Sequence, residues 1–360
     1  MTRPQPTITS QNQCDAFREK AKGFAERFAA CEGVVGVLLT GGAARGYADR
    51  YSELDLAVYL TQPHFDDWTR YGEAPFPEGD SWQEGWHVDF DYSCYEDEMA
   101  AEWEHGKRWD HSYAVVLYDP QGLMREMLEK KAVLTPEEKD RLTMRHLVLY
   151  GEYFCDLVTP SWLHRGDVLA AHHGLNTALD SLIRAVFLAN DELIPFEKWT
   201  LNLSYTLAWA PPGWREKVEQ ALLVREISPA DVERRRALIG DLLAACKGRL
   251  VTTTAEGLDA IEARKLEMLR HLRERGAMPA VDFGRRFGVR RAIQSPTCYL
   301  LRREAHQGVE WLIFDEQRLQ QYAENDFEGF LDWNRALLRV LVRDSRSRPA
   351  SADPAQEVVG

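Results

Sequence analysis

No stretch of the chain approaches the roughly 18 uninterrupted apolar residues that a membrane-spanning helix needs, so no membrane partner is expected. Residues 1–13 are polar, with neither a hydrophobic signal core nor an arginine-rich presequence, and a cytoplasmic location is the expectation. The 6 cysteines (Cys14, Cys31, Cys94, Cys155, Cys246 and Cys298) include no Cys-x-x-Cys pair and no histidine at zinc spacing. That pattern argues against structural zinc and predicts free, buried thiols. Positive charge is also in deficit: 44 Lys and Arg stand against 57 Asp and Glu, a formal net charge of −13. Phosphate neutralisation needs clustered cations, so this balance argues against a general nucleic-acid binder. It suits a cationic small substrate, and it equally suits solubility alone. No internal repeat is present.

At 360 residues the chain exceeds one typical domain. Its first third alternates strand-like and helix-like stretches, which predicts an α/β (α+β) domain with a mixed sheet. Phe17, Ala21, Phe24, Ala25 and Phe28 recur at helical spacing. Val34 to Leu39, Leu54 to Leu60, Trp86 to Tyr92 and Tyr113 to Tyr118 read as strands, with helices over residues 96–104 and 122–131. From Thr135 onward helix follows helix: Thr135-Pro136-Glu137-Glu138 has a capping hydroxyl, a proline at the first helical position and acids in the first turn. Past Met278, residues 283–291 read as a basic loop, residues 297–303 and 308–314 as a hairpin, and residues 315–343 as one helix. The expected organisation is a catalytic domain over 13–134, an all-α helical domain over 135–278, a C-terminal extension over 279–343 and a disordered tail over 344–360.

The stretch from Leu39 to Leu56 carries the chemistry. A strand ends in Thr40-Gly41-Gly42, and a helical turn begins at Ala43. Glycines let backbone N–H groups close on an anion, and a helix start adds favourable partial charge. Glu53 and Asp55 sit two apart on a strand, so both carboxylates leave one face while Leu54 and Leu56 leave the other. Paired acids repel unless a cation lies between them, and all-oxygen ligation suits Mg²⁺ shared with phosphates. A third acid is expected from the strand Trp86 to Tyr92, where His87, Asp89 and Asp91 share a face. Such carboxylates hold metal or deprotonate an attacking hydroxyl.

This pattern resembles the DNA polymerase β-type nucleotidyltransferase superfamily: a Gly-Gly or Gly-Ser turn, an acid-x-acid strand, then a third strand acid. The ten residues from Ala43 to Ser52 separate Gly42 from Glu53, and Ala44-Arg45-Gly46 and Ser52 also fit. The first acid of that signature is usually Asp; here it is Glu53, whose extra methylene carries the carboxylate outward by about one bond length. The helical half resembles aminoglycoside adenylyltransferases, in which an Arg on one helix is followed by a loop, a Pro and a Lys. Arg184, Pro195 and Lys198 occupy those positions. The resemblance covers residues 30–205 and implies a Mg²⁺-dependent nucleotidyltransferase using ATP or another NTP. It implies two Mg²⁺ ions held by Glu53, Asp55 and Asp89, with Asp89 as the base toward the acceptor hydroxyl. Gly41, Gly42, Arg45, Ser52, Arg184 and Lys198 would bind the nucleotide. The partners it implies are an NTP and a small hydroxylated acceptor; a protein acceptor and a catalytically silent nucleotide sensor are the rivals.

Several of these residues have plainer readings. Asp91 serves equally as a solvated neighbour of Asp89, and His87 as an edge residue beside the metal acids, because hard Mg²⁺ seldom takes imidazole. Arg45 would cap its turn or pair with Asp49 as readily as bind phosphate. Arg184, on an apolar helix, needs an anion, either a structural carboxylate or a triphosphate. His172 and His173 are adjacent on a helix and point apart, which suits capping or surface roles better than metal binding.

Overall fold

The computed structural model describes residues 3–251, 260–287, 300–327 and 332–346. Two compact units are present, Met1–Cys246 and Lys247–Gly360. The expected boundary near residue 134 falls inside the first unit, between a mixed-sheet layer and the helices that follow it.

The sheet layer runs α1 (Cys14–Ala29), β1 (Val34–Leu39), α2 (Gly41–Ala44), β2 (Leu54–Leu60), α3 (Gln62–Tyr71), β3 (Gly79–Gln83), β4 (Trp86–Cys94), α4 (Tyr95–Ala100), α5 (His105–His111), β5 (Val115–Tyr118) and α6 (Leu123–Lys131). Five strands form one sheet in the order β3-β4-β2-β1-β5. Only β2 and β4 pair in parallel; the other pairs are antiparallel. The helical spacing from Phe17 to Phe28 places that apolar stripe of α1 on one sheet face, where Phe24 and Phe28 meet Phe90 edge-on at 5.3 and 5.2 Å. Leu54, Leu56, Val58, Val88 and Tyr92 complete this core. On the opposite face Leu38, Ala57 and Tyr59 pack under Trp103, Met124 and Met127. Alternation along β2 therefore puts Asp55 on the face of Ala57 and Tyr59. It lies outside that apolar cluster, where the sheet opens to a cleft.

Strand β3 was not expected from its polar sequence. It forms a hairpin with β4 through Glu84 and Gly85, both at positive φ (53° and 81°), the geometry of a type I′ turn. Glu84 is tied to Lys20 (2.5 Å) and Arg27 of α1, so the hairpin tip is anchored. The helix expected over 96–104 is instead two short helices, α4 and α5.

The rest of the first unit is helical: α7 (Pro136–Thr143), π-helical turns over Met144–Glu152 and Phe154–Val158, α8 (Thr159–His164), α9 (Val168–Leu188), α10 (Glu197–Ser204), α11 (Trp214–Leu222) and α12 (Pro229–Leu250). Thr135 caps α7 by accepting from the Glu138 amide at 3.2 Å. Helix α9 is the buried axis of this layer. His172 does not sit at its surface: it is buried, and its Nδ1 lies 2.8 Å from the Arg235 guanidinium of α12. His173 is exposed. His105 joins the two layers, with Nδ1 facing Glu138 (3.3 Å) and Nε2 accepting from the Ile194 amide (3.0 Å).

The second unit has α13 (Ala260–Arg275), β6 (Ala277–Pro279), α14 (Ala280–Phe287), β7 (Leu301–His306), β8 (Val309–Phe314), α15 (Glu316–Glu324) and α16 (Asp332–Arg346). Its sheet has the order β6-β8-β7, so the expected hairpin is present from Leu301 onward. Residues 283–287 are helix rather than loop, because Phe283 and Phe287, one turn apart, are both buried in the unit's core. The single helix expected over 315–343 breaks after Glu324, where Asp326 and Phe327 take positive φ (47° and 59°). Cys298, residues 288–291 and residues 347–360 of the tail lie outside the described residues. The five described cysteines are free, and all but Cys31 are buried. Among the described residues no helix is long and apolar enough to cross a membrane.

Candidate active site

The end of β1 brings Thr40 beside β2, where its amide donates to the Asp55 carbonyl at 3.0 Å. Gly41 then takes φ +64°, and a Cβ there would lie 1.8 Å from Asp55 Oδ2. Only glycine lets the turn close on that carboxylate. The parallel register sets Asp55 beside Asp89 and Ala57 beside Asp91, so Asp89 is the direct neighbour of the buried acid.

Asp55 therefore sits in a ring of like charge. Burial pushes its carboxyl up to about 7, Glu53 and Asp110 add to the rise, Arg45 opposes it, and Asp89 contributes last. Asp89 is also raised, by burial first and then by Asp80, Glu53 and Asp91. An oxygen-donor set whose members raise one another in this way is the chemistry that a divalent cation relieves. Glu53, Asp55 and Asp89 therefore fit a bound Mg²⁺.

Two adjoining cavities share Asp55 and Asp110. The first, of about 410 Å³, is lined by Gly41, Gly42, Arg45, Ser52, Glu53, Asp55 and, from α10, Lys198. It thus gathers six of the expected metal and nucleotide residues from the sheet layer and one from the helices. Lys198 is exposed there with no ion pair among the described residues, a free cation at a cleft that holds Gly41 and Gly42. The second cavity, of about 370 Å³, is lined by Glu78, Asp89, Asp91, Asp110 and Asp55 together with His111; it has no Lys or Arg in its lining.

Three expected residues have other local partners. Arg45 pairs with Asp110 rather than Asp49, and it is buried against the rings of Trp109 (4.7 Å) and Trp199 (5.2 Å). Asp49 is used by its own loop, accepting from the Tyr51 amide at 2.8 Å and the Tyr47 hydroxyl at 2.8 Å. Ser52 faces the cleft, but its hydroxyl accepts from the Asp49 amide at 3.0 Å. Arg184 is not among the cleft residues: Asp180 (2.9 Å) and Glu197 (3.2 Å) hold its guanidinium. Its anion is a pair of carboxylates in its own layer.

Residues 18–109 match the family model of the nucleotidyltransferase domain. The matched segment contains the glycine turn, Glu53, Asp55 and Asp89, and it supports nucleotidyl transfer in general. None of the curated proteins compared matches the chain. A solved nucleotidyltransferase-like protein from Exiguobacterium sibiricum 255-15 aligns with 83% of this chain and 99% of its own at 15% identity and a TM-score of 0.40. A likeness at that level says nothing of substrate.

Sequence reasoning missed Asp110 and Trp109, which reach the site from α5, and Asp80, which reaches it from β3. No local signal marks the first two. The Gln83-Glu84-Gly85-Trp86 turn was the available clue to the third.

Proposed function

We propose that the chain is a Mg²⁺-dependent nucleotidyltransferase that moves a nucleoside monophosphate, AMP from ATP, onto a hydroxyl of a small cationic acceptor. The observation that carries this reading is Asp55 pressed against Gly41 and in register with Asp89, at the seam of the two cavities. The first cavity would take the NTP. The Gly41-Gly42 turn and the free Lys198 ammonium would face the β- and γ-phosphates, with the buried Arg45 guanidinium adding fixed positive charge beneath them. Arg184 is left out of this set because its two carboxylates already satisfy it. Mg²⁺ held by Glu53, Asp55 and Asp89 would supply charge neutralisation at the phosphates.

The second cavity would take the acceptor. Its five acids and lack of Lys or Arg suit an amine-bearing molecule, and its volume suits a small one. The acceptor oxygen bonds to the α-phosphorus, its proton passes to the Asp89 carboxylate, and the bond from the α-phosphorus to the bridging oxygen breaks to release pyrophosphate. The raised Asp89 carboxyl suits a proton acceptor better than an ordinary surface aspartate would.

The test is mass spectrometry of a panel of hydroxylated amines incubated with the full chain, Mg²⁺ and each NTP. An acceptor gaining the mass of a nucleoside monophosphate supports the reading. Nucleotide binding without any transferred mass across amines, neutral sugars and proteins would favour a silent sensor instead.

A further inference from the structure

The β3–β4 hairpin adds a second group of donors beside the three acids already placed. Its type I′ turn fixes the register Asp80 to Asp89 and Trp82 to His87, so Asp80, Trp82, His87 and Asp89 share one face. Glu53 enters the same space from the start of β2. The ligand atoms of Glu53, Asp80 and His87 all lie within 4.8 Å of one another, and His87 Nε2 is 3.4 Å from Asp80 Oδ1.

The 3.4 Å separation is longer than a good N–H···O bond. It matches instead two atoms that are each about 2.1 Å from a common ion, which lie about 3 to 3.4 Å apart. The imidazole plane is also set: Trp82 stacks on His87 at 5.5 Å and 24°. That leaves the ring edge, with its nitrogen donor, toward the carboxylates. The tip anchor from Glu84 to Lys20 and Arg27 holds the hairpin that carries both residues.

We propose that Glu53, Asp80 and His87 form a site for a first-row transition divalent ion, separate from the position held by Asp55 and Asp89. One nitrogen and two carboxylates make a donor set that suits Mn²⁺ or Zn²⁺ and disfavours Mg²⁺, which seldom gives up water for imidazole. Glu53 is common to both sets, and its two oxygens allow it to face each. The site needs no nucleotide chemistry, so it stands or falls apart from the activity assigned above.

Mn²⁺ titration of the nucleotide-free full chain, followed by the electron paramagnetic resonance signal of free Mn²⁺, tests the proposal. Asp55→Asn, which weakens the neighbouring position, should still bind one Mn²⁺, and a large excess of Mg²⁺ should leave it bound. His87→Ala and Asp80→Asn, in that background, should each weaken binding by at least about tenfold. Both side chains are at least partly exposed, and circular dichroism checks that each variant stays folded. No bound Mn²⁺ in the Asp55→Asn chain, unchanged affinity in the two hairpin variants, or ready displacement by Mg²⁺ would each overturn the site. Pyrophosphate release by the unaltered chain is read separately, so a failed activity and a failed site are distinguishable.

Discussion

Asp55 concentrates several demands on one side chain. It must lie against a glycine, accept burial, and tolerate Glu53, Asp110 and Asp89 as neighbours. Gly41→Ala puts a methyl group where its carboxylate now is and adds about 1–2 kcal/mol of left-handed backbone strain. Turnover should collapse in that variant while far-UV circular dichroism is kept. The charge ring also sets a pH dependence. The folded carboxyl titrates at about 7 and its ordinary value is 3.8, so between these the unfolded chain ionises first. Metal-free stability should therefore fall as pH rises from 3.8 to about 7. Mg²⁺ binds the ionised form, so calorimetry near pH 6 in buffers of different ionisation enthalpy should show proton release on binding. A second residue-scale test concerns Asp110, which neutralises the buried Arg45. Removing it in Asp110→Ala leaves an unpaired cation between two tryptophans and should cost about 3–5 kcal/mol in denaturant unfolding.

At the scale of elements, the cleft depends on how α10 is held over the sheet. The segment from Arg3 to Gln13 crosses between them. Thr7 exchanges two hydrogen bonds with Asn202 of α10 (3.0 and 3.1 Å). At its other end Asn12 donates to the Gly46 carbonyl at 2.9 Å and Gln13 to the Ala48 carbonyl at 2.7 Å. Asn202→Ala removes the first pair, exposed bonds together worth about 1 kcal/mol. The expected result is a rise of about fivefold in KM for the nucleotide with kcat little changed, because Lys198 and Trp199 ride on the same helix.

Elements also differ in how legible they were. Helix α1 and strands β1, β2 and β4 show their period in consecutive apolar residues, and each forms where that period places it. Strand β3 is an edge with Asp80, Ser81 and Gln83 in it, and its turn uses Glu84 where Asn or Asp would be the recognisable residue. The break after Glu324 has neither Gly nor Pro to announce it. In the site, the glycine turn and the three strand acids were readable because they obey local spacing. Asp110 and its pairing with Arg45 join α5 to α2 across 65 positions, which no local pattern encodes. Arg184 looked like a phosphate ligand because an arginine on an apolar helix needs an anion; Asp180 and Glu197 supply it.

At the scale of the molecule, everything proposed for catalysis lies in the first compact unit. Helix α12 runs across the unit boundary, so a chain ending after Leu250 keeps it whole. Such a fragment should fold cooperatively and release pyrophosphate at a rate close to that of the full chain. The central claim is that Asp55 and its neighbours make this chain a metal-dependent nucleotidyltransferase. Its most direct test is pyrophosphate release with Mg²⁺ and NTP in the unaltered chain and in Asp55→Asn. The expected result is Mg²⁺-dependent release that chelation removes and that falls by at least about a hundredfold in the folded variant. Undiminished release from Asp55→Asn would contradict the account.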